Sequence, residues 1–269
     1  MKLTGHLFLH LWRLKIPQLL LATIILGTAS PSLADEDSQA VAAEEDVAIE
    51  ALSWGYESDF NPRYVWRGIA YSEGSVAQTS TWFTTKGTTF GVWANTNLES
   101  VDGKNTNEID YYVSRELNWR NLTVEPMFQY YTYRHQEDSP STGELDFKFS
   151  LPLGKTTLFS TQAFDVIEYA GAYYGDIGLG LSRTLGSRVE MESAVSLGWG
   201  SSKFNETYLG PRKWAVNLAA VDIGLTYTSG NGLYWRPHLS YTRLLDSALR
   251  ESVDDSSILN LGLAVGMEF

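Results

Sequence analysis

Ser257-Ile258-Leu259-Asn260-Leu261-Gly262-Leu263-Ala264-Val265-Gly266-Met267-Glu268-Phe269 closes the sequence. From Leu259 onward its odd positions are all apolar, and its even positions are Asn, Gly, Ala, Gly and Glu. Side chains alternate faces along a β-strand, so one face of this segment is greasy and the other is small or polar. The same alternation runs through 189–199, where Val189, Met191, Val195, Leu197 and Trp199 oppose Glu190, Glu192, Ala194, Ser196 and Gly198. Leu145, Phe147, Phe149 and Leu151 oppose Glu144, Asp146, Lys148 and Ser150, and Ile109, Tyr111 and Val113 oppose Glu108, Asp110 and Tyr112.

A soluble sandwich also alternates, because each of its strands has one buried face. Strand length separates the two. These segments run to about ten residues, which matches a tilted crossing of a bilayer core, whereas strands of globular proteins average about five or six. The connections also alternate in length. Short ones fall at 86–87, 118–121, 152–155, 185–188 and 229–232, and long polar ones at 99–107, 134–143, 167–173, 200–213 and 244–256. Short turns at one end and long loops at the other are the rule of outer-membrane barrels. The expected fold is therefore all-β: a single antiparallel transmembrane β-barrel of about 12 strands, within about 10–14. The first strand is expected over 51–71, with Asn61-Pro62 as a bend inside it or with a short extra segment outside the wall.

Residues 1–34 contain no acid and carry Lys2, Arg13 and Lys15 ahead of the apolar run 19–26, then small residues up to Ser32-Leu33-Ala34. That order is a secretory signal peptide, and a run this short falls well below the roughly twenty residues of a spanning helix. Its removal takes three of the 20 Lys and Arg and none of the 32 Asp and Glu, leaving 17 against 32, a charge of −15. Seven acids and no base lie in 35–50, which reads as a solvated acidic linker, and 51–269 is the barrel. This acidity argues against a nucleic-acid partner. The implied location is a bacterial outer membrane, with lipid and lipopolysaccharide around the wall. Nine Trp and fifteen Tyr supply the amphipathic residues of membrane interfaces. There is no Cys, so backbone pairing rather than disulfides holds the fold.

Two stretches resemble known families. The terminal Phe269, with apolar residues at every second position before it, resembles the signal read by the barrel assembly machinery, which that likeness makes a partner. Tyr64-Val65-Trp66-Arg67-Gly68-Ile69-Ala70-Tyr71-Ser72, followed by Gln78, resembles the N-terminal segment of the TorF-type porin family. The motif residues are Tyr64, Trp66, Arg67, Gly68, Ser72 and Gln78. Trp66 stands where Phe is usual, and Ala70-Tyr71 where Ser-Gln is commoner. The resemblance implies a porin and little chemistry.

The alternation assigns nine acids to the lumen. Glu108, Asp110, Glu116, Glu125 and Glu144 come first in the chain, then Asp146, Glu190, Glu192 and Asp222. Lys148 and Arg236 are the assigned bases, with Arg63 and Arg67 as further candidates. The expected function is passive diffusion of small hydrophilic solutes, cationic or neutral, through a pore lined by these residues. A plugged structural or adhesion barrel is the alternative. A lipid hydrolase is a third reading, because His238-Leu239-Ser240, with Glu251, resembles the His-x-Ser plus Glu arrangement of lipid A deacylases. Against it, Tyr241 stands where that family has Asn, and alternation turns His238 and Ser240 to the lumen with Arg236, away from lipid. The chain is therefore read as no enzyme. No cofactor and no metal is expected, since His is scarce and Cys absent.

Overall fold

A computed structural model describes residues 52–99, 101, 103, 105–136 and 139–269. The signal peptide expected at 1–34 and the linker at 35–50 lie outside them.

Alternating segments need an edge partner on each side, and here each finds one. The strands are β1 (Ser53–Asn61), β2 (Val65–Trp66), β3 (Ile69–Ala70), β4 (Val76–Thr85), β5 (Thr88–Asn97), β6 (Glu108–Arg115), β7 (Leu117–Trp119) and β8 (Leu122–Tyr133). They continue with β9 (Thr142–Leu153), β10 (Thr156–Asp165), β11 (Tyr173–Gly186), β12 (Val189–Gly200), β13 (Ala215–Thr228), β14 (Leu233–Leu244) and β15 (Ser257–Glu268). Two short helices, α1 (Ser202–Tyr208) and α2 (Ser247–Glu251), lie in the long loops after β12 and β14.

β6 and β7 are two parts of one wall strand, interrupted at Glu116, and both pair with β8. Counting them together, the wall has twelve antiparallel strands. Neighbours pair in sequence order, and β1 joins β15 to close the ring. A closed ring leaves no unpaired edge, so every backbone group at membrane depth can be satisfied without water. The apolar positions of β15 face out: Leu259 is 58% exposed and Leu261 61%. Trp54, Phe83, Phe90, Trp235 and Phe269 form an exposed aromatic belt at the short-turn end. Phe83 stacks on Phe90 and Tyr227 on Trp235 across adjacent strands. Both ends of the wall lie here, since Trp54 and Phe269 are backbone partners.

The single bent strand expected over 51–71 does not form. β1 ends at Asn61, and Pro62 has no backbone donor to continue a ladder. Asn61 pairs directly with Val76 of β4, so 62–75 is a long insertion at the tip of the first wall hairpin. It turns into the lumen at the long-loop end and forms the β2–β3 hairpin there.

Candidate functional site

The insertion builds the apolar centre of the molecule. Tyr64, Trp66, Ile69 and Tyr71 are buried, as are Phe204 and Tyr208 of α1, Leu218 of β13, and Leu244 at the end of β14. Trp66 packs edge-on against Tyr208 with centroids 5.1 Å apart and lies 5.8 Å from Phe204. Tyr64 packs near Tyr71 and Trp93. α1 is held over this cluster by its Ser201 cap, which accepts from Phe204 N–H. Asn205 and Asn217 also join side chain to side chain, at 2.6 and 3.2 Å.

At the tip of the β2–β3 hairpin stand Arg67 and Gly68, with φ of 45° and 77°. Two consecutive left-handed residues between paired strands make a type I′ turn. Gly68 suits it twice over: a Cβ there would be strained by the backbone, and would lie 3.2 Å from Leu218 Cδ2. Arg67 accepts a strained backbone, at about 1–2 kcal/mol, and projects a guanidinium into the wall. Its Nη1 and Nη2 donate to Oε1 and Oε2 of Glu144, each at 2.9 Å. This bidentate geometry is the strong form of the arginine–carboxylate pair. Tyr131 donates its hydroxyl to Glu144 Oε2 at 2.6 Å. The guanidinium carbon lies 4.3 Å from the Trp66 ring centre, 4.5 Å from Tyr174 and 5.5 Å from Phe204. Burial opposes the Arg67 charge, but the Glu144 carboxylate more than offsets it, and the pKa stands above the ordinary arginine range. A second anchor is Tyr64, whose hydroxyl donates to Glu108 Oε2 at 2.7 Å. Ser72 closes the insertion by bonding both backbone groups of Gly74.

Between the plug and the short-turn end lies a cavity of about 520 Å³. Its wall carries a belt of paired polar groups. Arg236 Nη2 donates to both oxygens of Glu57, at 3.0 and 3.1 Å, and Tyr234 donates to Glu57 Oε2 at 2.6 Å. His238 Nε2 is 2.8 Å from Asp59 Oδ1. Asn260, Asn61, Gln78 and Asn95 form a chain of amide hydrogen bonds across neighbouring strands. On the other side of the plug is an outer pocket of about 210 Å³, bounded by the plug, α1 and residues 252–255. Val65, Arg67 and Gly68 line the inner cavity; Ile69, Ala70, Tyr71 and Glu73 line the outer pocket. The β2–β3 hairpin thus contributes to the lining of both spaces.

The residues assigned to the lumen divide between three places. Glu108, Asp110, Glu144 and Asp146 are almost fully buried, at 0–2% exposure, at the level of the plug. Glu116, Glu125, Lys148, Asp222, His238 and Ser240 line the inner cavity. Glu190 accepts from Ser182 near the short-turn end, and Glu192, two residues along β12, is half-buried. Arg63, a further candidate, lines the inner cavity and reaches Asp255 at 2.8 Å and Glu73 at 3.4 Å, both of which line the outer pocket. Of the motif residues, Tyr64, Trp66, Arg67, Gly68 and Ser72 belong to the plug, while Gln78 is on the wall. Sequence reasoning missed Glu57, Asp59 and Asn61, although Gly55, Glu57, Asp59 and Asn61 alternate with Trp54, Tyr56 and Phe60.

His238 is paired with Asp59, while Glu251 is exposed at the end of α2, in the loop beyond the long-loop end of β14. Among the described residues no group of three His, Cys, Asp or Glu could hold a metal ion.

The sequence matches no protein-family model and no curated protein. Solved structures share the architecture. The NanC porin superposes with a TM-score of 0.51 at 12% identity, over 81% of this chain and 99% of that one. The KdgM porin gives 0.48 at 9% identity, over 81% and 99%. An outer-membrane channel from Pseudomonas putida F1 gives 0.48 at 9%, over 83% and 98%. At these identities the likeness is one of fold.

Proposed function

We propose that this chain is a porin-like channel of a bacterial outer membrane, for small hydrophilic solutes, closed at its outer end by its own 62–75 hairpin. The reading is supported above all by the place of the hairpin: it lies between a cavity with many charged and amide side chains in its lining, reaching toward the short-turn end, and a pocket at the long-loop end. By the barrel rule the short turns lie in the periplasm, and the shared fold of the NanC porin agrees with a pore. Glu57, Asp59, Glu116, Glu125, Asp222 and Glu268 face Arg63, Arg67, Lys86 and Lys148 around the inner cavity. The acids prevail, so cations and neutral solutes are the favoured cargo.

A second reading has its own observation. The plug carries a buried aromatic cluster and a bidentate ion pair, which suits a permanently filled structural or adhesion barrel. One substitution separates the two. Because Asn61 and Val76 are cross-strand partners, a two-residue Asn-Gly turn can replace 62–75 and leave the wall hairpin intact. In planar bilayers the plugless barrel should conduct at several times the level of the parent chain. A parent chain that never opens, beside a plugless barrel of heat-modifiable gel mobility that does conduct, would establish the filled barrel instead.

A further inference from the structure

Arg67 enters its pocket on a tether, and the groups that receive it belong to other parts of the chain. Glu144 is on β9, Tyr131 on β8, Tyr174 on β11 and Phe204 on α1. With the hairpin removed in thought, they remain as a carboxylate aligned by a tyrosine hydroxyl, with aromatic rings beside it. Asp146, next inward on β9 and 2% exposed, adds Oδ1, a buried acceptor with no hydrogen-bond partner. That set is selective. A planar guanidinium meets both carboxylate oxygens and stacks on rings at the same time, whereas an ammonium is a compact point charge that does neither well. The tethered occupant also carries the strain of a left-handed backbone, which a free solute does not.

We propose that this wall pocket is a binding site for guanidinium- or amidinium-bearing solutes, with Arg67 as its built-in occupant. Such a solute displaces Arg67 and releases the hairpin, so the channel is opened by what it carries. The opening step rests on the channel reading above; the binding step does not.

The test titrates ethylguanidinium into refolded parent, Arg67→Ala and Arg67→Met barrels by calorimetry, with ethylammonium as the control cation. Gel mobility establishes that each is folded, and Arg67→Met keeps the bulk of the side chain should Arg67→Ala not fold. The Arg67 variants should bind ethylguanidinium at least about tenfold more tightly than the parent, about 1.4 kcal/mol, and more tightly than ethylammonium. Adding Glu144→Gln should abolish the difference. In planar bilayers ethylguanidinium should raise the open time of the parent barrel. Equal affinity for parent and variants, equal affinity for the two cations, or no saturable binding in a folded Arg67 variant would each overturn the site. A barrel that binds but never conducts overturns the channel and leaves the site; one that conducts without binding does the reverse.

Discussion

Trp54 and Phe269 stack at the barrel seam, with ring centroids 4.3 Å apart and 18° between their planes. Their backbones exchange two hydrogen bonds, Trp54 N–H to Phe269 O at 3.0 Å and Phe269 N–H to Trp54 O at 2.9 Å. The last residue of the chain is thus the final rung of the closing pair, beyond the register of β1 and β15. Phe269→Ala should keep both backbone bonds and lose the stack, worth about 0.5–1.5 kcal/mol beyond buried area. Deleting Phe269 removes all three contacts. The deletion should convert to the unfolded gel band at a lower temperature than Phe269→Ala, and should leave more protein in the periplasm, as a terminal assembly signal requires. Normal membrane yield of the deletion would remove the signal role and leave only the seam.

The two faces of β15 should respond differently to charge. Leu263 points outward and is 43% exposed, so Leu263→Arg should cost about 2–4 kcal/mol in urea unfolding from lipid vesicles. Ser240, on the neighbouring strand, lines the inner cavity, and Ser240→Arg should cost less. Gly262 would be a poor choice for the inward control. A Cβ there would stand 2.3 Å from His238 Nε2 and 2.4 Å from Asn61 Oδ1. Since Asp59 holds the His238 ring, Gly262→Ala should destabilise by about 1–3 kcal/mol through overpacking. A neutral Gly262→Ala would mean that this belt is loose.

Ion preference is best read on the plugless barrel. Its reversal potential in a salt gradient should have the sign of cation selectivity. Asp222→Asn together with Glu125→Gln should reduce it, and raising salt should shrink it as screening shortens. Anion selectivity would show that Lys86, Lys148 and Arg236 govern the narrowest point.

The loop after β14 carries a pH-sensitive cap. Asp246 accepts from the backbone of Ala248 and Leu249 at the start of α2, and Lys213 Nζ lies 2.8 Å from its Oδ2. The Lys213 hydrogen bond holds this carboxyl below the ordinary aspartate range. A depressed carboxylate stabilises the fold at pH values above its unfolded pKa, and that contribution fades as pH falls through the folded pKa. Carbon-13 titration should therefore place the Asp246 midpoint below about 3.9, and Lys213→Met should raise it. An unmoved midpoint would mean that the backbone amides alone set it.

Alternation made the wall legible because each strand faces lipid on one side and the lumen on the other. The boundaries read from 257–269 and 189–199 differ from β15 and β12 by no more than one residue. The same rule failed at 62–75 for a physical reason. Within a plug, apolar side chains such as Tyr64, Trp66 and Tyr71 turn toward the interior, so they mimic a wall strand while belonging to none of the wall. Pro62 and the Arg67-Gly68 pair were the turn signals that mattered. The fate of Glu108, Asp110, Glu144 and Asp146 was hidden for the same reason. Alternation assigns a residue to a face, but it cannot tell an open lumen from one already filled.

The pocket that receives Arg67 also fixes an order of events. Arg67 comes early in the chain, while Tyr131, Glu144, Tyr174 and Phe204 are spread over a much longer stretch after it. The hairpin has no seat until the chain has been made and folded through α1. The groups that receive Arg67 all precede β13, β14 and β15, so the hairpin can be docked before β15 pairs with β1 and closes the ring.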